Sequence, residues 1–540
     1  MKYLSSFKTF GTELLQHVYI FHIVIEYMDS FQGIREKICV IDFGSQYANL
    51  ICRRIRDLGV YAELYPHDTR IEEINLGSVK GIVLSGGPSS VYESGAPEAD
   101  KRIFDLGIPI LGLCYGMQLI AHLLGGKVEP AAVHEYGKER VSVIKDGGIF
   151  RGVPGEFNSW MSHGDIVTAT PGGFEKIALT SNSEIAAFEG KRIYGLQFHP
   201  EVSHTEFGEK IISNFLEICG CSRSWRMESF VEDSIMQIRE KVGKGRVLCA
   251  VSGGVDSTTL AILLREAIGD KLSCIFVDNG LLREGEFDGV SALLSSIGVN
   301  LIKVDASSRF LARLSGILDP EEKRKAIGDE FAKVFSEAAE ANGPFQWLAQ
   351  GTLYPDIIES SMAGKLAAVI KTHHNVGGMP GWMKMKILEP FNQLYKDEVR
   401  KIAGLLSVPD SMRLRHPFPG PGLAVRVIGE VTSEKLNICR KAGKIVEEEL
   451  IAAGIYSDVW QAFAVVGDDR AVGVVGDKRR YGRIVTIRAV SSVDAMTADW
   501  VRLPYEVMGR MSGRITNEVD GVTMVTYAIS SKPPATIEPQ

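Results

Sequence analysis

Residues 108–126 read IPILGLCYGMQLIAHLLGG. A short apolar run leads into Gly112-Leu113-Cys114-Tyr115-Gly116, and an apolar stretch of helical length follows. Glycines on both sides of a nucleophilic side chain permit a tight, strained strand-to-helix turn that lifts that side chain above a sheet. The same texture recurs in ICVIDFG from Ile38, GIVLSGGP from Gly81, RVLCAVSGG from Arg246, LSCIFVDNG from Leu272 and FQWLAQGT from Phe345. Continuous β-branched and Leu-rich runs mark strands buried on both faces. Their alternation with helical stretches predicts α/β architecture, with chemistry at the carboxyl ends of the strands. Two series, from about Lys37 and from about Arg246, predict two successive doubly wound, mainly parallel α/β domains. After Pro417 come alternating stretches such as RIVTIRAV and MVTYAIS, which predict a smaller α+β domain.

Composition bounds the reading. At roughly 150 residues per domain, a chain of 540 residues suits three such domains. The break CGCSRSWRME over Cys219–Glu228 suits a linker, which places the domains at 37–222, 223–412 and 413–540. With 60 Lys+Arg against 67 Asp+Glu the net charge is only −7, which argues against a general nucleic-acid binder. Eight cysteines without a CxxC pair exclude a ribbon-type zinc site and a disulfide framework, and a reduced, cytoplasmic setting follows. The apolar run His17–Met28 is interrupted by His22 and Glu26 and is shorter than the ~20 residues of a membrane span, so no membrane association is expected. Residues 1–36 are expected to be an extension ahead of the fold, with Met28 as a candidate natural start.

Cys114 is the first candidate catalytic residue. A helix N-terminus beneath it favours thiolate, and the Tyr115 backbone N–H can help form an oxyanion hole, with a second donor from the turn Ser85-Gly86-Gly87-Pro88. Gln197-Phe198-His199-Pro200-Glu201 supplies a base and its orienting carboxylate. Residues i and i+2 of an extended segment project to the same side, and Pro200 keeps His199 extended. Glu201 can thus hold the His199 tautomer while His199 accepts the thiol proton.

A second constellation is Ala250-Val251-Ser252-Gly253-Gly254-Val255-Asp256-Ser257-Thr258, between a strand and a helix. Paired glycines turn backbone N–H groups onto phosphate oxygens, and the hydroxyls of Ser252, Ser257 and Thr258 complete an anion site. The lysine of a Walker A loop is missing. Asp256 suits a phosphate site only with Mg²⁺ between them. Farther on, Asp356 and Glu359 stand three apart, either as a metal-binding pair or as helix N-terminal acids. Lys371-Thr372-His373-His374-Asn375-Val376-Gly377-Gly378 reads either as a lid that brings cations onto pyrophosphate or as a solvated basic loop.

Gly-Leu-Cys-Tyr-Gly-Met-Gln over 112–118, with Gln-Phe-His-Pro-Glu over 197–201, resembles the class I glutamine amidotransferases. That resemblance implies a Cys114–His199–Glu201 triad releasing ammonia from glutamine, with Gln118 and Gly86–Gly87 lining the glutamine pocket. The loop S-G-G-x-D-S resembles the PP-loop of ATP pyrophosphatases, which cleave ATP to AMP and pyrophosphate. Arg413–Arg426 (RLRHPFPGPGLAVR) and Lys532–Glu538 (KPPATIE) resemble the glutamine-hydrolysing GMP synthetase family, and the match runs from about Lys37 to Gln540.

This family resemblance implies that XMP, ATP and glutamine are the substrates, that Mg²⁺ is required, and that the C-terminal domain builds a homodimer. By motif it implies ATP contacts from Ser252, Gly253, Gly254, Val255, Asp256, Ser257 and Thr258, and adenosine contacts from Val277 and Gly351. Asp256, Asp356 and Glu359 would serve Mg²⁺, with Lys371, His373, His374 and Lys396 as lid or phosphate-site residues. Arg426, Arg488 and Lys532 are candidates for the XMP phosphate, and Glu538 for the purine ring. The sequence departs from the family pattern at Thr258, where a second Ser is frequent, and in the 85-position interval between Cys114 and His199, which suggests a trimmed surface loop. Asparagine and NAD synthetases carry other glutaminase types. A tRNA-modifying PP-loop enzyme would show a basic face or CxxC pairs, neither of which is apparent.

Overall fold

The computed structural model describes residues 36–357, 385–475, 477–492 and 497–540. It divides into two compact units, one ending at Phe230 and the other beginning at Val231.

In the first unit β1 (Lys37–Asp42), α1 (Ala48–Asp57), β2 (Ala62–Pro66), β3 (Val79–Leu84), β4 (Ile110–Leu113) and α2 (Tyr115–Leu123) alternate as the apolar runs predict. Then come β5 (Lys127–Val143), β6 (Glu156–Ala169), β7 (Glu175–Leu179), β8 (Ala187–Gly190), β9 (Ile193–Leu196) and α3 (Gly208–Ile218). One nine-stranded sheet results, ordered β2-β1-β3-β4-β9-β8-β7-β5-β6. The strands from β2 to β9 along this order are parallel, and those beyond β9 are antiparallel. All six residues of β1 and all four of β4 are buried, as continuous apolar strands require. Adjacent β3, β4 and β9 therefore end at one edge. That edge carries Gly86–Gly87, Cys114 and His199.

The helix α4 (Met227–Val242) leads into β10 (Val247–Val251), α5 (Val255–Ile268), β11 (Leu272–Asp278), α6 (Glu286–Ser296), β12 (Asn300–Asp305), α7 (Ser307–Leu314), α8 (Pro320–Asn342), β13 (Trp347–Ala349) and β14 (Lys386–Leu388). These strands form an all-parallel sheet in the order β12-β11-β10-β13-β14. The order reverses beside β10, where the next strand in sequence lies on one side and β13 on the other. Ligands of open α/β sheets bind at such a switch point. The loop 252–257 occupies it.

The helices α9 (Lys396–Leu405), α10 (Asp410–Arg413) and α11 (Ser433–Ala452) precede β15 (Gln461–Val475), β16 (Lys478–Ser491), β17 (Asp499–Trp500), α12 (Tyr505–Glu518) and β18 (Val522–Tyr527). In this α+β part β15 and β17 flank or extend β16 antiparallel, and β18 pairs with β16 in parallel. One core joins Ile275, Val277 and Leu348 of the parallel sheet to Leu436, Ile445, Val466, Val485 and Ile487. Each such buried aliphatic side chain contributes about 1.5–3 kcal/mol. The segments read from sequence as second and third domains thus share one compact unit, because apolar faces of both pack together. Among the described residues no helix is long and apolar enough to cross a membrane.

Candidate active sites

At the end of β4, Cys114 has φ +50° and ψ −106°, a strained conformation for a residue with a side chain. Backbone bonds hold it there: Cys114 N–H donates to Leu196 O (2.7 Å), and Gly116 N–H to Ser85 O (3.0 Å). A Cβ on Gly112 would lie 2.6 Å from Gly116 O, and one on Gly116 would lie 2.3 Å from Leu84 O. Only glycines allow this approach of α2 to the sheet.

His199 follows β9, the neighbour of β4. Its Nδ1 lies 2.8 Å from Glu201 Oε1, and both side chains are buried. Thr205 Oγ1 donates to the His199 carbonyl (2.6 Å), and Arg54 Nε donates to that of Glu201 (3.0 Å). Burial pushes the imidazole down, but the Glu201 charge and the hydrogen bonds to Cys114 and Glu201 outweigh it, so His199 titrates well above its ordinary value. A Cβ on Gly86 would sit 3.1 Å from His199 Cε1 and 3.8 Å from Cys114 Cβ. One on Gly87 would sit 3.2 Å from Tyr115 Cγ. The expected thiol, base, carboxylate and glycine turn therefore lie together, with Tyr115 opening the helix beneath.

Gln118 is buried on α2, where its Nε2 donates to Asp165 O (2.8 Å) and lies 3.4 Å from Gln197 Oε1. The segment Ser162–Asp165 of β6 escaped the sequence reading. Ser162 O lies 3.6 Å from Cys114 Sγ, and Tyr92 OH donates to Asp165 Oδ1 (2.8 Å). His163 Nε2 lies 2.9 Å from Glu135 Oε2 in a wholly buried pair. Its signal was the polar run Ser-His-Gly-Asp inside a strand, but nothing in the sequence says that β6 faces the elbow.

In the second unit, Ser252 N–H donates to Ser257 Oγ (3.2 Å), and the two hydroxyls lie 3.1 Å apart. Gly253 has φ +82°, and Gly254 precedes α5, which opens at Val255. Ser252 and Gly254 are exposed, whereas Thr258 is wholly buried. Thr258, expected to offer its hydroxyl to phosphate, stands one turn into α5, and its Oγ1 is buried without a hydrogen bond among the described residues. A Cβ on Gly351, just after β13, would lie 3.9 Å from Ser257 N. Val277 lies buried near the end of β11, beside β10. Asp256 Oδ2 lies 3.3 Å from Lys396 Nζ, while its Oδ1 is buried with no hydrogen bond among the described residues. Asp356 Oδ2 accepts from Leu353 N–H (2.9 Å), consistent with a helix-starting acid. Glu389, unnoticed in the sequence, accepts from Thr352 Oγ1 (2.5 Å), and burial raises its pKa. Glu359, Lys371, His373 and His374 lie outside the described residues, as does the extension 1–35.

A third cluster surrounds Arg426, which borders a cavity of about 400 Å³ with Arg283, His416, Tyr456 and Phe463. The Arg426 guanidinium stacks over Phe463 (4.3 Å) and Phe418 (5.0 Å), and that of Arg283 over Phe418 (4.5 Å). Burial, and then Arg283, push Arg426 down to about 10. Arg426 Nε and Nη2 and Arg283 Nη1 are buried without a hydrogen bond among the described residues. Two desolvated cations with spare donors make a strong anion site. Glu538 Oε1 lies 3.8 Å from Arg426 Nη2 and accepts from Gln461 Nε2 (2.5 Å). Arg283 and Gln461 were not foreseen, because neither belongs to the Pro/Gly segment.

Lys532 exchanges backbone hydrogen bonds with Ala498. Arg488, also expected at the XMP phosphate, donates through Nε, Nη1 and Nη2 to the carbonyls of Ile537, Ser530 and Thr536. Arg488 is buried beneath the C-terminal segment and holds it.

The class I glutamine amidotransferase family matches residues 39–219, and the GMP synthase C-terminal domain family matches residues 448–539. The chain is 54% identical over 93% of its length to the glutamine-hydrolysing GMP synthase of Thermomicrobium roseum, covering 96% of that protein. The chain belongs to the glutamine-hydrolysing GMP synthase family. The GMP synthases of Geobacillus kaustophilus and Aquifex aeolicus are each also 54% identical over 93% of this chain, with 99% of theirs covered. As a GMP synthase the chain is a ligase of purine biosynthesis that uses glutamine and takes ATP as co-substrate.

Proposed function

We propose the following division of labour. Cys114 Sγ attacks the side-chain amide carbon of glutamine while His199 accepts the thiol proton, its imidazole oriented by Glu201. The Tyr115 N–H and the Gly86–Gly87 turn take the oxyanion. Collapse expels ammonia, with His199 returning the proton, and water then cleaves the thioester to glutamate. Gln118 holds the wall of the glutamine pocket through the Asp165 carbonyl.

At the switch point of the second unit, Ser252–Ser257 hold ATP phosphates, Val277 and Gly351 border the adenosine, and Lys396 supplies positive charge. The O2 atom of XMP attacks the α-phosphate, pyrophosphate leaves, and ammonia then adds at C2 and displaces AMP. Mg²⁺ fits the donors present. The buried Asp256 Oδ1, without a hydrogen bond among the described residues and beside a phosphate loop, is what a cation shared with ATP oxygens would use, and Asp356 would be its second carboxylate. When bound, the ion would neutralise phosphate charge. Glu359 and the Lys371, His373 and His374 stretch are proposed for the same site from sequence alone. Arg426, assisted by Arg283, receives the XMP phosphate, Lys532 adds charge, and Glu538 accepts from the purine.

The domain scheme 37–222, 223–412 and 413–540 is retained as a description of function. A homodimer through the C-terminal part is supported by the exposed side chains of Val472, Val474, Tyr481 and Met524 on one sheet. Eight free thiols suit a reduced cytoplasm, and neither nucleic acid nor membrane enters this reading.

The observation that carries the reading is the strained Cys114 elbow one strand away from the His199–Glu201 pair. The test is purified protein with XMP, ATP, Mg²⁺ and glutamine: GMP, AMP, pyrophosphate and glutamate should appear in equal amounts. Direct release of orthophosphate instead of pyrophosphate overturns it.

A further inference from the structure

Lys323 lies in the first turn of α8 and is wholly buried, although lysine is among the residues least often found inside a protein. The turn is fixed by Asp319, whose side chain accepts from Glu321 N–H and Glu322 N–H, and by Pro320 at the first helical position. The Lys323 ammonium donates to Val427 O (3.0 Å) and to the Gln540 side-chain carbonyl. Arg324, the next residue, donates through Nη2 to Gln540 O (3.0 Å). Both partners adjoin the anion cluster. Val427 follows Arg426, and Gln540 stands two residues beyond Glu538. Burial, followed by the Lys435 charge, pushes the Lys323 ammonium down to about 8, so the site is costly to keep charged. An apolar side chain would fill the same space at lower cost. What the ammonium adds is a fixed spacing between the Arg426 turn and the C-terminal segment, which Arg488 holds only as far as Ile537.

We infer that Lys323 is a positioning residue for XMP: by bridging Val427 and Gln540 it holds Glu538 against Arg426 and Gln461 in a nucleotide-ready arrangement. The inference rests on the reading of that cluster as the XMP site. It is tested on the full-length enzyme with Lys323→Met, Gln540→Ala and, as a control on the site itself, Arg426→Gln. Ammonia serves as nitrogen donor so that glutamine hydrolysis does not enter the rates. Expected are an XMP KM raised about tenfold by Lys323→Met, or about 1.4 kcal/mol, and about threefold by Gln540→Ala. The ATP KM should stay within about twofold, and the amides of Thr536, Ile537, Glu538 and Gln540 should exchange about tenfold faster without XMP. If Lys323→Met fails to fold, the half-exposed Gln540 position decides the matter. An unchanged XMP KM in Gln540→Ala and Lys323→Met, with the KM raised in Arg426→Gln, overturns the inference alone. An unchanged KM in Arg426→Gln overturns the reading of the XMP site. An equal rise in the ATP KM, the mark of general loosening, also counts against Lys323.

Discussion

Lys396, the first residue of α9, holds its ammonium 3.3 Å from the Asp256 carboxylate in the first turn of α5. The proposed phosphate site thus holds a lysine and an aspartate paired with each other. On the proposed reading, the Lys396 ammonium would turn to phosphate oxygens and the Asp256 carboxylate would be free to hold Mg²⁺. The pair therefore carries the first prediction. Asp256→Asn should lower AMP and pyrophosphate formation by about a hundredfold or more with either glutamine or ammonia, the scale of removing one electrostatic stabiliser. Lys396→Met should lower it by about tenfold to a hundredfold. Pyrophosphate release is the measurement, and unchanged rates contradict the assignment. Chelation of Mg²⁺ should abolish release in every variant while leaving glutamine hydrolysis measurable.

Cys114→Ala should abolish glutamine-driven GMP formation, while ammonia-driven formation stays within about twofold, since the nucleophile belongs to one half-reaction only. Loss of both activities would show that the two sites are not separable.

Gly86 is predicted to tolerate no side chain. A methyl group there would stand 3.1 Å from His199 Cε1, closer than most carbon contacts. Gly86→Ala should cost about tenfold or more in glutaminase kcat, because a displacement of a few tenths of an ångström spoils the alignment of base and thiol. Ammonia-driven synthesis provides the control.

The raised titration of His199 has a stability consequence. The folded-state value lies above the unfolded one, so the stabilisation is fully present below about pH 6.5 and is lost as pH rises through the folded value. Replacing Glu201 by Gln removes a large part of that elevation. The urea midpoint of Glu201→Gln should fall below that of the parent chain by a margin that is widest near pH 6 and narrows toward pH 9. A gap that widens with pH would refute the ion-pair account.

Arg426→Gln should raise the XMP KM by about tenfold or more while leaving the ATP KM near its original value, the scale of losing a desolvated charge-assisted contact. Lys532→Ala should act in the same direction but more weakly, because Lys532 is half-exposed. Steady-state kinetics of ammonia-driven synthesis with varied XMP measure both.

Local chemistry made the Cys114 elbow, the His199-Pro200-Glu201 run and the 252–257 loop readable along the chain. A positive φ, an i, i+2 pair or a helix N-terminus needs only residues close together in sequence. The alternation of apolar runs set the α/β class for the same reason, because burial on both faces of a sheet leaves a continuous imprint. Strand order decided the rest. Only the pairing of β4 with β9 brings Cys114 to His199, and only the packing of β6 places Ser162 beside the thiol. The union of the parallel and C-terminal sheets in one core sets Arg283 beside Arg426, and the fold of the C-terminal segment turns Arg488 inward beneath it. Such contacts join side chains remote in sequence, and their partners are chosen by shared buried surface, which no local pattern records.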